Sequence, residues 1–243
     1  MGNDLRGRVA LVTGASRGIG AAIAAALASE GAVVAINYKS SADKADALAR
    51  KLTEGGAHAI AVGCDVSKAA DVVRMVQRVE SELGPVGILV NNAGIAIRRD
   101  LDDLSEADFD QTILVNLKSA FLCMKAVLPG MRAKGWGRII NITSGAARGA
   151  GTIGPHYNAS KAGMEGLTRG YAARLAATGI TVNSVAPTLI ETDMMAGQDQ
   201  LVRRIPMGRF GRPDEVAQVV LMLVRNPYMT GQTVGLSGGM HFN

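Results

Sequence analysis

The chain has 243 residues, 48% hydrophobic and 19% charged, with a mean hydropathy of +0.17; that excludes a disordered chain and gives a core large enough to need neither disulfide nor metal staples. The net charge is +5 and the pI near 9.4. The basic residues are scattered, though, and four Tyr, four Phe and one Trp supply no basic stripe with stacking aromatics, which argues against nucleic acid and for phosphorylated cofactors or acidic partners.

The first residues show no basic region followed by a long apolar segment and cleavage site, and Arg6 stands where a myristoylation pattern beginning at Gly2 needs Ser or Thr. Val9–Val12 reads as a short apolar strand that turns through Gly14. Residues 19–29, with Ile23 and Leu27 on one face, read as a helix ended by Gly31. A strand Ala32–Ile36, a helix Ser41–Glu54 and a strand His58–Val62 follow. Lys68–Leu83 is a helix with Val72, Val76 and Val79 on one side, and Ile88–Val90 a strand.

A long helical pattern then runs from Ser105, its expected N-cap, to about Arg132. Arg138–Ile142 reads as a strand, Tyr157–Thr178 as a helix, Ile180–Val185 as a strand and 193–203 as a short helix. Pro213-Asp214-Glu215 opens a last helix, with proline first and acids in the first turn, and Thr233–Leu236 is the final strand. Strands alternating with helices of this length imply parallel crossovers. The expected fold is α/β: a Rossmann-like doubly wound parallel sheet with helices on both faces, one domain over 1–243. No apolar run reaches the ~18 residues of a membrane span. Cys64 and Cys123 lack metal-type spacing and read as buried free thiols, which fits a reducing, cytoplasmic setting.

Thr13-Gly14-Ala15-Ser16-Arg17-Gly18-Ile19-Gly20 joins the first strand to the first helix. A dinucleotide pyrophosphate sits at such a turn, because glycines let the backbone approach and helix N–H groups receive the anion. Its spacing is G-x-x-x-G-x-G. The second strand ends in Asn37-Tyr38-Lys39-Ser40-Ser41, with no acid between Glu30 and Asp43 to hold a ribose 2′-hydroxyl. With Arg17 and Lys39 beside it, that absence favours NADP(H) over NAD(H).

Ser144 follows a strand at the sheet's ligand-binding edge, and Tyr157 and Lys161 are one helical turn apart. A nearby ammonium favours the phenolate, so the Tyr157 pKa is expected to fall, as suits a proton donor to a carbonyl, with Ser144 holding the same oxygen. An isolated Y-x-x-x-K is commonly a surface pair. Here it keeps company with the glycine loop, with Ser144 and with Asn91-Asn92-Ala93-Gly94.

Across essentially its whole length the chain resembles the short-chain dehydrogenase/reductase family, through TGASRGIG at 13–20, CDV at 64–66, NNAG at 91–94, Asn116, Ser144, YNASK at 157–161 and GQTVGLSGGM at 231–240. The resemblance implies Tyr157 as general acid, Lys161 on the nicotinamide ribose, Ser144 orienting the carbonyl and Asn116 holding a relay water. It implies Asp65 and Val66 at the adenine, Asn92, Ala93 and Gly94 along the cofactor, and Ile190 and Thr192 on the nicotinamide side. Within the family the chain is most similar to 3-oxoacyl-[acyl-carrier-protein] reductases, which implies reduction of 3-oxoacyl thioesters, acyl carrier protein as a partner and a homotetramer.

Several positions depart from that pattern. Thr188 follows Pro187 where relatives carry glycine, restricting the start of the segment 188–212 expected to cover the substrate. Gly135 and Thr178 stand where carrier-protein reductases have basic residues, leaving Arg132, Lys134, Arg138, Arg169 and Arg174 as substitutes. Arg174 also replaces an assembly-helix glutamate. The alternatives are a reductase or dehydrogenase of a small alcohol, sugar or cyclic ketone and, remotely, a non-catalytic dinucleotide sensor.

Overall fold

The computed structural model describes residues 4–242, and Gly2, read above against lipidation, lies outside the described residues. Seven strands form one all-parallel sheet in the order β3-β2-β1-β4-β5-β6-β7. They are β1 Val9–Val12, β2 Val33–Tyr38, β3 Ala59–Gly63, β4 Val86–Asn91, β5 Gly137–Ile142, β6 Ile180–Pro187 and β7 Thr233–Leu236. The helices are α1 Gly18–Ser29, α2 Ala42–Glu54, α3 Ala69–Leu83, α4 Glu106–Thr112, α5 Ser119–Lys134, α6 Pro155–Leu175 and α7 Pro213–Arg225.

The two-residue period of a strand explains the double winding. Ala10, Val12, Ile88, Val90, Ile140 and Val185 point to one face, where Ile23 and Leu27 of α1 and Val216, Val220 and Leu223 of α7 cover them. Their neighbours Leu11, Leu89, Ile139 and Val182 point to the other, against Val72, Val76 and Val79 of α3, Met124 and Val127 of α5, and Leu175 of α6. Each such Val, Leu, Ile or Met side chain stabilises the fold by about 1.5–3 kcal/mol on full burial. The chain leaves β1 towards β2 on one side and returns to β4 on the other, so the strand order reverses at β1. A crevice opens there beyond the carboxyl ends of the strands.

Two expectations need correction. The long helix after Ser105 is not uniform: Ser105 does cap it, its Oγ accepting the Asp108 N–H at 3.1 Å, but a π turn, Ile113–Lys118, separates α4 from α5. The turn carries Asn116, whose side chain takes hydrogen bonds to the loop after β4 in exchange for regular helix geometry. By length and composition the run Glu106–Lys134 could cross a membrane; here it packs on β4, α3 and α6 as an inner-layer helix. The helix expected over 193–203 is two 3-10 turns, Asp193–Met195 and Asp199–Arg204. Gly197 between them has φ +73°, which no continuous helix accepts.

Candidate active site

The glycine loop lies at the reversal point. Gly14 and Gly18 have φ of 61° and 56°. A Cβ at Gly14 would lie 2.9 Å from the Ala93 Cα, and one at Gly20 2.5 Å from the Asn92 Nδ2. Arg17 occupies the N-cap position of α1 without a side-chain cap bond, leaving first-turn N–H groups to an anion beside Ser16 and Ile19. This cradle fits a dinucleotide pyrophosphate. Thr13 braces it: its Oγ1 accepts from the Asn92 and Ala93 N–H groups at 3.0 and 3.1 Å. The Asn92 amide in turn donates to the Thr13 and Gly14 carbonyls.

Asn37, expected to touch the cofactor, is fully buried. Its Oδ1 accepts the Gly14 N–H at 3.1 Å and its Nδ2 donates to the Val62 and Cys64 carbonyls, so it clamps the loop from beneath. Tyr38 lies over Gly63, and Val66 is buried in the core. Lys39 does not stand free, since its Nζ is 2.9 Å from Asp65 Oδ2. Reading β2 alone found no acid, because the acid arrives from the end of the adjacent β3. Burial raises the Asp65 pKa, but hydrogen bonds from Ser67 and Lys39 outweigh it and hold the carboxyl down to about 2.

Ser144 lies two residues beyond β5 and caps the turn Gly145–Ala147, its Oγ accepting the Ala146 N–H at 3.2 Å. Tyr157 and Lys161 lie on α6, both buried, with Lys161 Nζ 5.8 Å from the centre of the Tyr157 ring and donating to the Ile142 carbonyl at 2.9 Å. The expected fall in the Tyr157 pKa is not found: burial raises it, and the Ser144 hydrogen bond only partly offsets this. The Lys161 ammonium does not reverse this from 5.8 Å, and burial lowers its own pKa from 10.5 to about 8, which leaves it charged at pH 7. Asn116 Oδ1 accepts the Ile95 N–H at 2.8 Å, and its Nδ2 donates to the Ile95 carbonyl and to Ser160 Oγ. A Cβ at Gly94 would lie 3.2 Å from Asn116 Oδ1 and 3.6 Å from Lys161 Nζ, so the glycine lets the loop after β4 pass beside both groups.

A family model described as short chain dehydrogenase matches residues 8–201. The chain belongs to that family. It is 43% identical over 241 residues, 96% of this chain and 98% of the relative, to the 3-oxoacyl-[acyl-carrier-protein] reductase FabG of Staphylococcus epidermidis. It is 42% identical to the 3-oxoacyl-[acyl-carrier-protein] reductase of Synechocystis sp., covering 97% and 98% of the two chains. To the FabG protein of Pseudomonas aeruginosa it is also 42% identical, covering 99% and 100%. A short chain dehydrogenase uses a nicotinamide dinucleotide, and the cradle above suits one.

On the substrate side of this short chain dehydrogenase, Thr188 adopts no left-handed backbone. Its N–H and Oγ1 both bond the Leu236 carbonyl, at 3.0 and 2.7 Å, and its methyl fills the place a Cβ at Gly145 would take. His241 packs on the same turn: a Cβ at Gly149 would be 3.1 Å from its Cε1. No sequence signal marked His241, since the contact is made by the tail folding back on the Ser144 turn. Ile190 is buried and bridges to Gly211, and Thr192 Cγ2 approaches Gly18. The exposed Arg17 lies 3.7 Å from Asp193.

Also missed was a buried polar chain beneath the site. Asn91 donates to Asn141 Oδ1 at 2.8 Å, Asn141 donates to Thr168 Oγ1 at 2.9 Å, and Thr168 meets Ser184 at 2.7 Å. Polar residues at inward strand positions were its signal. Among the basic residues named as substitutes, Arg138 is ruled out. It is buried at the amino end of β5, where it donates to the Val224, Gly137 and Gly179 carbonyls and lies over Trp136. Arg132 and Lys134 close α5 at that same edge of the sheet, away from Ser144. Cys64 and Cys123 are buried free thiols, as expected, and burial pushes both pKa values up to about 12.

Proposed function

We propose that the protein reduces 3-oxoacyl thioesters to 3-hydroxyacyl thioesters with NADPH. The observation that carries this reading is the convergence of Ser144, Tyr157 and Lys161 on the edge that also holds the glycine cradle. Gly14–Gly20, Asn92–Gly94, Ile190 and Thr192 would hold a reduced nicotinamide dinucleotide, which would supply the hydride that the carbonyl carbon takes up. Ser144 donates a hydrogen bond to the carbonyl oxygen and fixes its place. Tyr157 gives that oxygen its phenolic proton as negative charge develops there. Its raised pKa suits a group that must arrive protonated. The Lys161 ammonium would hold the cofactor's ribose and stabilise the phenolate left behind, and a water near Asn116 would return the proton.

NADPH is preferred on this reading because the end of β2 carries no acid, while Arg17 and Lys39 flank it. Lys39 would have to share itself between the 2′-phosphate and Asp65. Residues 188–212 would cover the substrate. The acyl group would come on acyl carrier protein. Leu117 of the π turn, Phe121 of α5 and Leu167 and Tyr171 of α6 line an apolar groove that would serve a cytoplasmic homotetramer.

A second reading, reduction of a small ketone, draws on the Thr188 methyl and the His241 ring against the Ser144 turn. The deciding measurement is NADPH consumption with a 3-oxoacyl group on acyl carrier protein against the same group on pantetheine, with Tyr157→Phe as blank. A large preference for the carrier supports the carrier-dependent reading. Equal or negligible rates on both place the enzyme among small-molecule reductases.

A further inference from the structure

Glu165 is a buried carboxylate that the reaction above does not use. It lies on α6 one turn beyond Lys161 and two beyond Tyr157, on the same face of the helix. Its Oε2 accepts from Arg148 Nε at 3.0 Å, and Arg169 Nη1 is 3.8 Å away. Its Oε1 is buried with no hydrogen-bond partner among the described residues. A buried acid satisfied on one oxygen is a poor source of stability, since well-packed apolar residues commonly serve as well. Such a group calls for another explanation.

Arg148 supplies one. It ends the turn that Ser144 begins: the Ala147 N–H bonds the Ser144 carbonyl, and the Arg148 and Gly149 N–H groups bond the Gly145 carbonyl. Beyond it, Asn158 Nδ2 donates to the Gly149 and Ala150 carbonyls, at 2.8 Å each. The turn that sets Ser144 Oγ is thus tied to α6 at two points, Asn158 and Glu165, which bracket Lys161. Ser144 and Tyr157 come from different elements, and nothing in β5 itself fixes the separation of their hydroxyls.

We infer that Glu165 is a positioning residue which, through Arg148, holds the Ser144 turn in register with the helix bearing Tyr157 and Lys161. This rests on the proposed roles of Ser144 and Tyr157. Misplacement of a reacting group by about 1 Å costs up to 10²-fold in rate, so losing half of this two-point tie should cost about tenfold.

Glu165→Gln keeps the shape and removes the charge; Arg148→Met removes the partner from its exposed side, and Arg148→Lys restores a cation. The assay is turnover of an acetoacetyl-pantetheine thioester, with NADPH affinity and native-state exchange of the Ala147, Arg148 and Gly149 amides measured alongside. Expected for Glu165→Gln and Arg148→Met are kcat lower by about tenfold, unchanged NADPH affinity, and exchange of those amides faster by a similar factor, with partial recovery in Arg148→Lys. The kcat/KM profile for the reverse oxidation should move to higher pH, because a loosened Ser144 no longer assists the Tyr157 phenolate. Around Glu165 the charged groups to count are Arg148, Arg169 and Lys161. Unchanged exchange overturns the inference, as does faster exchange with kcat and pH profile unmoved. If the unaltered protein turns over no thioester, the substrate reading falls, while the amide exchange still decides whether Glu165 holds the turn.

Discussion

Replacing Lys161 by methionine should stabilise the protein while abolishing turnover. The Lys161 ammonium is wholly enclosed, and burial brings its pKa from 10.5 to about 8. Keeping it charged at pH 7 therefore costs about 3 kcal/mol, at ~1.4 kcal/mol for each pH unit. Methionine removes that cost and loses the bond an amine keeps to the Ile142 carbonyl, worth about 1 kcal/mol. The net gain is about 2 kcal/mol, or about 4–8 °C in Tm for a chain of this size.

The sign with pH makes the test specific. Between about pH 8 and 10.5 the folded protein has lost the Lys161 proton and the unfolded chain still binds it, so the unaltered protein gains stability as pH rises. Lys161→Met has no such gain. Urea unfolding at pH 7 and at pH 10 should show the variant ahead at the lower pH and the advantage largely gone at the higher one. A variant less stable at pH 7, or an advantage that does not change with pH, would refute the argument that Lys161 is held there at a cost.

Tyr157→Phe should lower turnover by 10³-fold or more and leave dinucleotide affinity within about twofold, since only the proton donor is lost; calorimetric titration beside the rate assay checks both. Asn37→Ala should cost about 2–4 kcal/mol in urea unfolding, because it strips partners from the Gly14 N–H and from the Val62 and Cys64 carbonyls. Dinucleotide affinity should fall with it, and unchanged affinity would remove its role beneath the loop. Arg17→Ala with Lys39→Ala should reduce the NADPH over NADH preference by about tenfold in kcat/KM, and equal use of both dinucleotides by the unaltered protein would end that claim.

All seven strands and most helix boundaries were legible in the sequence because strand and helix periods write themselves into burial: Leu11 and Val12 face opposite cores, and Pro213 and Gly179 punctuate as their backbones require. The π turn at Asn116 was not legible, since its cause is a hydrogen bond to Ile95 across a gap of 21 residues. The glycine loop, Ser144, Tyr157 and Lys161 could be located from motif and order. Their electrostatics could not. Proximity to an ammonium predicted a lowered Tyr157 pKa, and burial, a property of the assembled fold, set the opposite sign. Asn37 misled for a related reason: a polar residue at a strand end serves a ligand or the backbone, and only the neighbouring strand decides which. Arg138 likewise looked like surface charge until Trp136 and three carbonyls enclosed it.

The buried chain from Asn91 through Asn141 and Thr168 to Ser184 links β4, β5, α6 and β6 by side chains that hydrogen-bond one another. A one-residue slip of β5 would turn Asn141 towards the opposite core and leave its neighbours unpaired, so misregistered pairings are disfavoured where the reacting groups are mounted. Residues 188–212 lie outside this lock, closed on themselves by the Ile190–Gly211 bridge and joined to the body through ties such as Thr188 to Leu236 and Met207 to Gly238. On the proposed reading, in which residues 188–212 cover the substrate, chemistry and selectivity are carried on largely separate parts. Apart from Thr188, whose methyl sits on Gly145, and Ile190, which belongs to the core, the proposed cover could be exchanged for one of different shape without moving Ser144, Tyr157 or Lys161, and the enzyme would keep its reaction while changing what it reduces.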